Sequence, residues 1–313
     1  MEKKQITVIG SLNYDILLKQ ARLPEKGETY TVNDVTTGAG GKGGNQAVQC
    51  SKMGIETNMI GALGRDLFGD YIINQLKDNG LNVENIKRTK QSTGLGINNI
   101  LSDGTIYANV VKGANFALSK EDINDIKDKL VRSKIVILQL EIPTEVTEYA
   151  IDLASKNDCF ILLNAAPAKP ISAQSLSKVD CLIVNESEAT YYCKQKIEDI
   201  ESAIFNHKKL LAKVKKLLII TLGEKGSLVF QNSEIVHVPA LKVSPLDTTG
   251  AGDTFVGTFA AKLIEGVDLI EAVKIATIAS SLTISKYGTQ SIMPDKKEVE
   301  SVYQSNKITE KYF

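Results

Sequence analysis

The sequence predicts an α/β fold built on a mostly parallel, doubly wound sheet with helices on both faces. Short apolar, β-branched segments alternate with helical patterns through most of the 313 residues. The first helical patterns stop at glycines, Gly54 and Gly80, which commonly end helices. Segments 16–38 and 93–112 are β-rich without an intervening helix, which adds a second, smaller sheet to the prediction.

Six buried strands are expected in the main sheet, because six segments are short, apolar and rich in β-branched residues. They cover residues 6–10, 59–63, 135–140, 160–164, 182–185 and 217–222. Helices are expected at 45–53 and 70–78, and a third begins after Ser119, where Asp122 completes a capping box. This alternation is typical of a parallel sheet covered on both faces.

The two β-rich segments are expected to pair into one small sheet outside the main core. Residues 102–104, Ser-Asp-Gly, give the second segment a hairpin signal. We expect this sheet to act as a lid over the carboxyl ends of the main strands, where open α/β sheets bind their ligands. The expected domains are a core of residues 1–15, 39–92 and 113–313 and a lid of residues 16–38 and 93–112.

The charge balance argues against a polyanionic partner. Lys plus Arg and Asp plus Glu each number 37, so no net field attracts nucleic acid or an anionic membrane. The four cysteines show no Cys-x-x-Cys spacing and are expected to be buried thiols. The N-terminus leads straight into the first strand and no apolar run reaches membrane-spanning length. We therefore expect a cytoplasmic protein without a signal peptide.

Residues 247–255 read Asp-Thr-Thr-Gly-Ala-Gly-Asp-Thr-Phe and lead into a helical pattern at 255–265. Gly250 and Gly252 lack a Cβ, so the backbone N–H groups there are able to close on an anion at a helix N-terminus. Asp253 stands inside this anion site, where a carboxylate is suited to accept a proton from an attacking hydroxyl. The segment predicts phosphoryl transfer to an alcohol. The alternative is a plain glycine-rich loop with Asp253 as a first-turn carboxylate.

A second glycine-rich stretch, residues 38–48, leads into the first long helix. Its glycines permit close approach of a ligand to the backbone, and Lys42 and Asn45 supply hydrogen-bond donors. This composition suits a hydroxyl-rich small molecule or a phosphate. A flexible loop that joins lid to core is the alternative.

Three polar side chains are expected at the carboxyl edge of the main sheet. Asn13 and Asp15 follow the first strand and, two residues apart, project to the same side. Glu141 follows the strand at 135–140. A carboxylate and a carboxamide together are able to bracket vicinal hydroxyls. Alone, each would be an ordinary turn or cap residue, but their shared edge favours a binding site.

Another strand end carries the sequence Asn185-Glu-Ser-Glu. The carboxylates of Glu186 and Glu188 suit a magnesium ion that is held through water beside bound phosphates. They also suit the first turn of a helix, where the dipole favours negative charge. Both interpretations hold together.

These motifs resemble those of the ribokinase branch of the PfkB sugar-kinase family, over residues 6–294. The two family signatures are Gly-Gly-Lys-Gly-Gly-Asn-Gln-Ala at 40–47 and the glycine-rich segment at 247–255. Supporting stretches follow in the same order and begin at Gly113, Gln139, Asn164, Asn185 and Thr221.

The resemblance implies a ribokinase-like core with a β lid, ATP as phosphoryl donor, magnesium as the working ion and ribose 5-phosphate as product. It implies that Asp253 is the general base and that the amides of Gly250, Ala251 and Gly252 form the anion hole. Sugar contacts carry over to Asn13, Asp15, Gly41, Lys42, Asn45, Glu141 and Asp253. Nucleotide contacts carry over to Asn185, Thr221, Gly223, Gly252 and Thr277, with Glu188 in the magnesium–water network.

The resemblance also implies activation by potassium and a homodimer that pairs through the lid. The matching cation ligands are Asp247 and Thr249, with backbone oxygens near Thr283, Lys286 and Gly288. Three positions depart from the family pattern: Thr277 near the adenine, Ala165 in Asn-Ala-Ala-Pro, and Ile292 at the potassium site. Since Ile292 offers no oxygen, we expect a weaker cation site unless water or Ser291 fills the gap.

An ATP-dependent kinase for ribose is the first expectation, and three others stand beside it. A sibling kinase would act on 2-deoxyribose, another sugar or a nucleoside. A sugar- or nucleotide-binding regulator without catalysis would have no use for Asp253 and its anion hole. A dinucleotide-dependent oxidoreductase fits least, because neither glycine-rich segment is a complete dinucleotide-binding fingerprint. Neither segment is a P-loop.

Overall fold

The computed structural model describes residues 5–32, 34–102 and 105–313, and within them fourteen strands form two sheets. The strands are β1 (Gln5–Ile9), β2 (Asn13–Gln20), β3 (Asp34–Gly40), β4 (Thr57–Gly64), β5 (Ile86–Thr89), β6 (Gly94–Leu101), β7 (Ile106–Val111), β8 (Ser133–Leu138), β9 (Phe160–Asn164), β10 (Cys181–Asn185), β11 (Leu217–Thr221), β12 (Ser227–Gln231), β13 (Glu234–Val238) and β14 (Lys311–Tyr312).

Helices connect most of the strands of the larger sheet. The α-helices are α1 (Lys42–Lys52), α2 (Leu67–Asp78), α3 (Lys120–Asp125), α4 (Lys127–Arg132), α5 (Thr144–Lys156), α6 (Ala173–Leu176), α7 (Glu186–Cys193), α8 (Ile200–Asn206), α9 (Lys208–Leu211), α10 (Ala251–Ile264), α11 (Leu269–Ile284) and α12 (Lys296–Ser305). Short 3₁₀ turns lie at Gly113–Ala117, Gly223–Lys225 and Gln290–Ile292.

The larger sheet has ten strands in the order β14-β13-β12-β11-β10-β9-β8-β1-β4-β5. From β11 to β5 every neighbouring pair is parallel, and β12, β13 and β14 extend one edge in antiparallel pairing. All six strands expected from the sequence are present, with ends that differ by two residues or fewer. The expected fold class is therefore confirmed.

Each face of the larger sheet packs into its own apolar core, because side chains alternate along a strand. On β8, Val136 and Leu138 enter one core while Ile135 and Ile137 enter the other. Burying a Leu or Ile side chain of this size stabilises the fold by about 1.5–3 kcal/mol. Helices α5 and α7 cover the first face and α1 and α10 the second, so the sheet is doubly wound as expected.

Three helices, α1, α2 and α10, begin earlier than the apolar periodicity predicts, and two of them follow a glycine. Helix α1 starts at Lys42 behind Gly41 (φ 83°), and α10 starts at Ala251 behind Gly250 (φ 76°). Glycine adopts this left-handed backbone without steric cost, and the small residues that follow carry no apolar signal. The capping box between Ser119 and Asp122 is present as expected.

The smaller sheet has four strands in the order β3-β2-β6-β7, with β2 parallel to β6 and antiparallel to β3. Its strand β2 starts at Asn13 and β3 runs to Gly40, so the sheet reaches further toward the core than the expected boundaries at 16 and 38. The hairpin expected at 102–104 falls largely on residues 103 and 104, which lie outside the described residues.

The chain has no helix, among the residues described, with the length and apolarity that crossing a bilayer needs. All four cysteines are buried and none forms a disulfide, as the sequence predicts.

Candidate active site

A cleft of about 570 Å³ lies between the small sheet and the carboxyl ends of the parallel strands. Asn164, Asn185 and Thr221, the last residues of β9, β10 and β11, line it. The small sheet contributes Gly96, Asn98, Ala108 and Val110. All residues expected to contact the sugar line it too, namely Asn13, Asp15, Gly41, Lys42, Asn45, Glu141 and Asp253.

Asp15 fits in the small sheet because both neighbouring strands carry glycine beside it. Its register partners are Gly38 of β3 and Gly96 of β6. A Cβ at Gly96 would lie 2.3 Å from Asp15 Oδ1, and a Cβ at Gly40 would lie 1.9 Å from Asp15 Oδ2. Any larger residue at either position would displace the carboxylate from the cleft.

The glycine-rich stretch 38–44 is therefore mostly a matter of protein packing. Within it, the missing Cβ of Gly43 leaves room for the backbone of Gly10, 2.7 Å from where that Cβ would lie. Of the five glycines in this stretch, Gly41 lines the cleft. The expectation that the glycines together admit a ligand to the backbone is thus wrong for most of them, and the stretch is no flexible loop, since β3 and α1 run through it.

Asn13 is oriented by Asn115, which follows the small sheet. Asn115 Nδ2 donates to Asn13 Oδ1 at 2.7 Å, while Asn115 Oδ1 accepts the N–H of Leu12 at 2.8 Å. With its oxygen engaged, Asn13 keeps its NH₂ group for the cleft. Asn13 and Asp15 thus present a donor and an acceptor side by side, as bracketing of vicinal hydroxyls requires.

Asp15 is the most perturbed carboxyl group in the cleft. Burial and, to a smaller extent, the neighbouring charges of Glu141 and Asp253 raise its pKa to about 8, against the opposing effect of Lys42. Among the described residues no N–H or O–H group donates to this carboxyl. Its acceptor capacity is therefore left for a ligand.

Asp253 lies in the first turn of α10 and is buried. Asn45 Nδ2 donates to its Oδ2 at 2.9 Å, and Gln46 Nε2 donates to its Oδ1 at 2.8 Å. Burial raises the pKa of Asp253, and the charge of Lys42 and these two amide donors oppose that rise. The carboxylate is thus oriented at both oxygens, and Asp253 lines the cleft.

The N-terminus of α10 opens into the cleft beside Asp253. Gly250 and Gly252 line the cleft together with Thr248 and Thr249. The first N–H groups of a helix have no carbonyl partner within it and suit an anion. The N–H of Ala251 instead donates to the Thr248 carbonyl at 3.3 Å, and Ala251 lies behind the cleft wall. Two of the three expected anion-hole residues thus reach the cavity.

Glu141 is held in the cleft by two donors. Ser11 Oγ donates to its Oε2 at 2.5 Å, and the backbone N–H of Lys42 donates to the same oxygen at 3.2 Å. The Lys42 ammonium is buried, which lowers its pKa, but four carboxylates around it produce a net rise: Asp253, Glu141, Glu188 and Asp15. Lys42 is therefore charged and balances part of this negative cluster.

Asn185 and Glu188 form a capping box at the start of α7. Asn185 Oδ1 accepts the Glu188 N–H and Glu188 Oε2 accepts the Asn185 N–H, both at 2.9 Å. Both residues also line the cleft, so the helix-start and ligand interpretations are compatible. Gly223 (φ 53°) follows the lining residue Thr221, and a Cβ on it would lie 3.9 Å from Glu186 Oε1.

Asp247 and Thr249, two of the residues expected to bind potassium, directly precede the 250–252 loop. The N–H groups of Leu246 and Asp247 both donate to the Ile284 carbonyl, at 2.7 and 3.3 Å, which brings Asp247 to the end of α11. Asp247 Oδ1 accepts the Thr249 N–H at 2.9 Å. Its Oδ2 is buried without a hydrogen-bond partner in the described part of the chain, so the carboxylate has capacity for a cation.

Among the other expected residues, Thr283 contacts α10, whereas Lys286, Gly288 and the expected adenine contact Thr277 have different neighbours. The Thr283 hydroxyl donates to Thr254 Oγ1 at 3.0 Å, and Lys286 pairs with Glu298 at 2.8 Å. Gly288 (φ 138°) lies next to Ile292. Thr277 is buried within α11, where its hydroxyl donates to the Val273 carbonyl at 2.9 Å, and it does not line the cleft.

No cluster of three His, Cys, Asp or Glu ligands occurs among the described residues. Magnesium commonly keeps several waters and is bound through few protein carboxylates together with substrate phosphates. Glu188 and Asn185 are the oxygen-bearing residues suited to hold its water shell.

Several polar residues of the site were not singled out from the sequence. Gln46 contacts the candidate base directly, Asn164 and Asn98 line the cleft, and Asn115 orients Asn13. Gln46 and Asn164 lie inside the motifs that carry the family resemblance, so those motifs held a signal for them. Asn115 lies in the supporting stretch that begins at Gly113 and shared that signal, whereas Asn98 lies in a strand, where Asn gives no distinct signal.

The chain belongs to the pfkB family of carbohydrate kinases, whose model matches residues 3–296. It is 34% identical over 298 residues to the ribokinase of Lactococcus lactis subsp. lactis, covering 95% of this chain and 96% of the relative. It is 32% identical over 305 residues to the deoxyribokinase of Salmonella typhi, covering 96% and 99%. The structure of Arabidopsis thaliana ribokinase complexed with ribose and ATP superposes with a TM-score of 0.89 at 31% identity, covering 96% and 99%. The protein is therefore a sugar kinase, and the resemblance inferred from its motifs is confirmed.

The raised pKa of Asp15 predicts a pH-dependent cost to stability. Between its ordinary value of 3.8 and about 8 the folded protein keeps a proton that the unfolded chain loses, so stability falls as pH rises through this range. Asp15→Asn removes the titrating group, and a tenfold change in its acid dissociation constant on folding corresponds to about 1.4 kcal/mol. We expect the variant to melt above the wild type, by a margin that grows from pH 5 to pH 8.5 in thermal unfolding. An equal margin at both pH values would contradict this account.

Proposed function

We propose that the protein transfers the γ-phosphoryl group of ATP to the 5-hydroxyl of D-ribose, giving ribose 5-phosphate and ADP. The observation that carries the proposal is the buried Asp253 carboxylate at the N-terminus of α10, in one cleft with Asn13 and Asp15. The likeness to ribokinases, one of them bound to ribose and ATP, supports this choice of substrates.

In the proposed reaction Asp253 accepts the proton of the sugar hydroxyl as that oxygen attacks the γ-phosphorus. The bond from this phosphorus to the β–γ bridging oxygen breaks, and ADP leaves. Gly250 and Gly252 line the cleft at the start of α10. The N-terminus of this helix would therefore face the negative charge that develops on the phosphoryl oxygens. Asn13, Asp15 and the other sugar contacts hold the acceptor so that the hydroxyl meets the base.

Magnesium, when bound, neutralises the phosphate charge. Asn185 and Glu188, which line the cleft, would hold its water shell. Thr221 and Gly223 would contact the nucleotide at the end of β11. Thr277 is buried within α11, so it would contact the adenine of ATP only after a rearrangement of the neighbouring loop.

The Asp253→Asn variant tests the base. The substitution keeps the shape of the side chain but removes the proton acceptor, so we expect turnover in an ADP-release assay to fall by about 10²–10⁴-fold. Sugar and ATP binding, measured by calorimetry, should stay close to the wild-type values. Near-normal turnover would overturn the assignment of Asp253 as base.

A kinase for 2-deoxyribose is the second candidate, because a deoxyribokinase is similar along almost its whole length. The donor of Asn13 and the acceptor of Asp15 favour the sugar with the additional hydroxyl. Leaving such partners buried and unpaired costs about 1–3 kcal/mol, so ribose should exceed 2-deoxyribose in kcat/KM by roughly 5- to 150-fold. Equal or reversed preference in steady-state assays would assign the enzyme to 2-deoxyribose instead.

We expect potassium to bind at Asp247, since a buried carboxylate oxygen without a donor among the described residues suits a cation. Thr249 and carbonyls near Thr283, Lys286 and Gly288 would complete its ligands, and the ion would steady the adjacent 250–252 loop. We expect potassium, titrated against sodium at fixed ionic strength, to raise kcat in the wild type and to have little effect in Asp247→Ala. The control is Asp268→Ala, which removes the N-cap at the opposite end of α11. An equal response in both variants would place the ion elsewhere.

The small sheet is proposed to close over the bound sugar and to pair with that of a second subunit. Val35, Tyr107 and Val111 of this sheet are exposed apolar residues, which favours such an interface. Sedimentation at micromolar concentration measures the pairing, and a monomer would contradict it.

A cytoplasmic location stays a prediction.

A further inference from the structure

Two chains of side-chain amides converge on the carboxylate of Asp253. In the first, Gln139 Nε2 donates to Gln46 Oε1 at 2.6 Å, and Gln46 Nε2 donates to Asp253 Oδ1 at 2.8 Å. In the second, Gln290 Nε2 donates to Asn45 Oδ1 at 3.1 Å, and Asn45 Nδ2 donates to Asp253 Oδ2 at 2.9 Å. We call these the Gln139 relay and the Gln290 relay.

The hydrogen bonds fix the direction of both relays. An ionised carboxylate only accepts, so the inner amides of Gln46 and Asn45 must turn their NH₂ groups toward Asp253. Their oxygens then face outward and need a donor, which Gln139 and Gln290 supply. Loss of that donor removes the contact that holds the inner oxygen outward, so rotation of the amide becomes less costly. A rotated amide presents its oxygen to Asp253, an arrangement that favours the protonated acid.

Gln46 is fully committed to this arrangement. Its second N–H donates to Asn164 Oδ1 at 3.0 Å, and Asn164 Nδ2 donates in turn to the Ile183 carbonyl at 3.2 Å. Every polar atom of the Gln46 amide therefore has a partner. The side chain is held against rotation from the sheet side as well as from Gln139.

The cost of the relays is located at their outer ends. Gln139 Oε1 and Gln290 Oε1 are both buried without a hydrogen-bond donor among the described residues, and such an atom costs about 1–3 kcal/mol. Gln139 Oε1 packs against Gly10, where a Cβ would lie 1.9 Å away. Turning either outer amide round would leave its NH₂ unpaired and set two carbonyl oxygens face to face. The fold thus keeps donors at Asp253 at the expense of the outer oxygens.

We propose that Gln139 and Gln290 are positioning residues that lock the amides of Gln46 and Asn45 with their N–H groups toward Asp253, and so keep this base ionised and oriented. The proposal rests on the proposed role of Asp253 as general base. Neither outer glutamine lines the cleft, so each acts through another residue. Their effect should therefore appear in the titration of the base and not in substrate binding.

Gln139→Met tests the first relay, because methionine fills a similar volume without an N–H donor. We expect the acid limb of the kcat–pH profile to move up by about one pH unit, the equivalent of one hydrogen bond to a charged group. Turnover should fall about tenfold on that limb and recover at higher pH, while KM for sugar and ATP stays within about twofold. A loss of kcat that is equal at every pH, or an unchanged profile, would overturn the proposal.

Gln49→Met is the matched control. Gln49 lies in α1 one turn after Gln46 and is fully buried. Its amide donates to Thr258 Oγ1 and the Pro294 carbonyl, away from Asp253. We expect it to lose comparable thermal stability without moving the pH profile. A displaced profile in this control would trace the effect to general loosening of α1 and would count against the relay.

Two further variants separate the possible failures. Gln290→Met tests the second relay independently and decides the question if Gln139→Met does not fold. Asp253→Asn in the same assay tests the proposed function, because retained turnover would show that Asp253 is not the general base. If Asp253→Asn abolishes turnover while neither methionine variant moves the profile, the base stands and the relays are refuted.

Discussion

Buried negative charge is the constraint on which the rest of the cleft depends. Asp15, Glu141, Glu188 and Asp253 all act on the charge of Lys42, and burial raises the pKa of Asp15, Glu188 and Asp253. Carboxylates this close repel one another and lose their hydration. A fold retains such a cluster only if neighbouring groups stabilise the ionised forms.

The surrounding elements meet this constraint in different ways. Amides of α1 donate to Asp253, the Ser11 hydroxyl and the Lys42 N–H donate to Glu141, and the N–H of Asn185 donates to Glu188. Asp15 receives room between glycines instead of donors, and its pKa of about 8 reflects that. Its partners must therefore come from the ligand, which agrees with hydroxyl groups of a sugar as the proposed occupant.

The sequence predicted the fold and the location of the site because both depend on local patterns, namely apolar segments and polar residues at strand ends. The amide relays could not be predicted in this way, since Gln139 and Gln290 lie 93 and 245 positions from the residues they contact. The purpose of the glycines at 38–44 was hidden for the same reason. Gly40 makes room for Asp15 on a neighbouring strand, a relation that appears only when the strands are paired.

Under the proposed reaction, the same charge cluster gives the cleft a preference between substrate and product. The sugar arrives neutral, and its hydroxyls are able to bond to Asp15, the carboxyl group of the cluster that receives no donor from the described residues. It leaves as a phosphate monoester with a charge of about −1.5 to −2 near neutral pH, in a cleft that also holds the carboxylates of Glu141 and Asp253. Repulsion between these charges destabilises the bound product more than the bound substrate, while Lys42 limits the repulsion. The buried carboxylates that cost the free protein stability therefore favour release of the phosphorylated sugar.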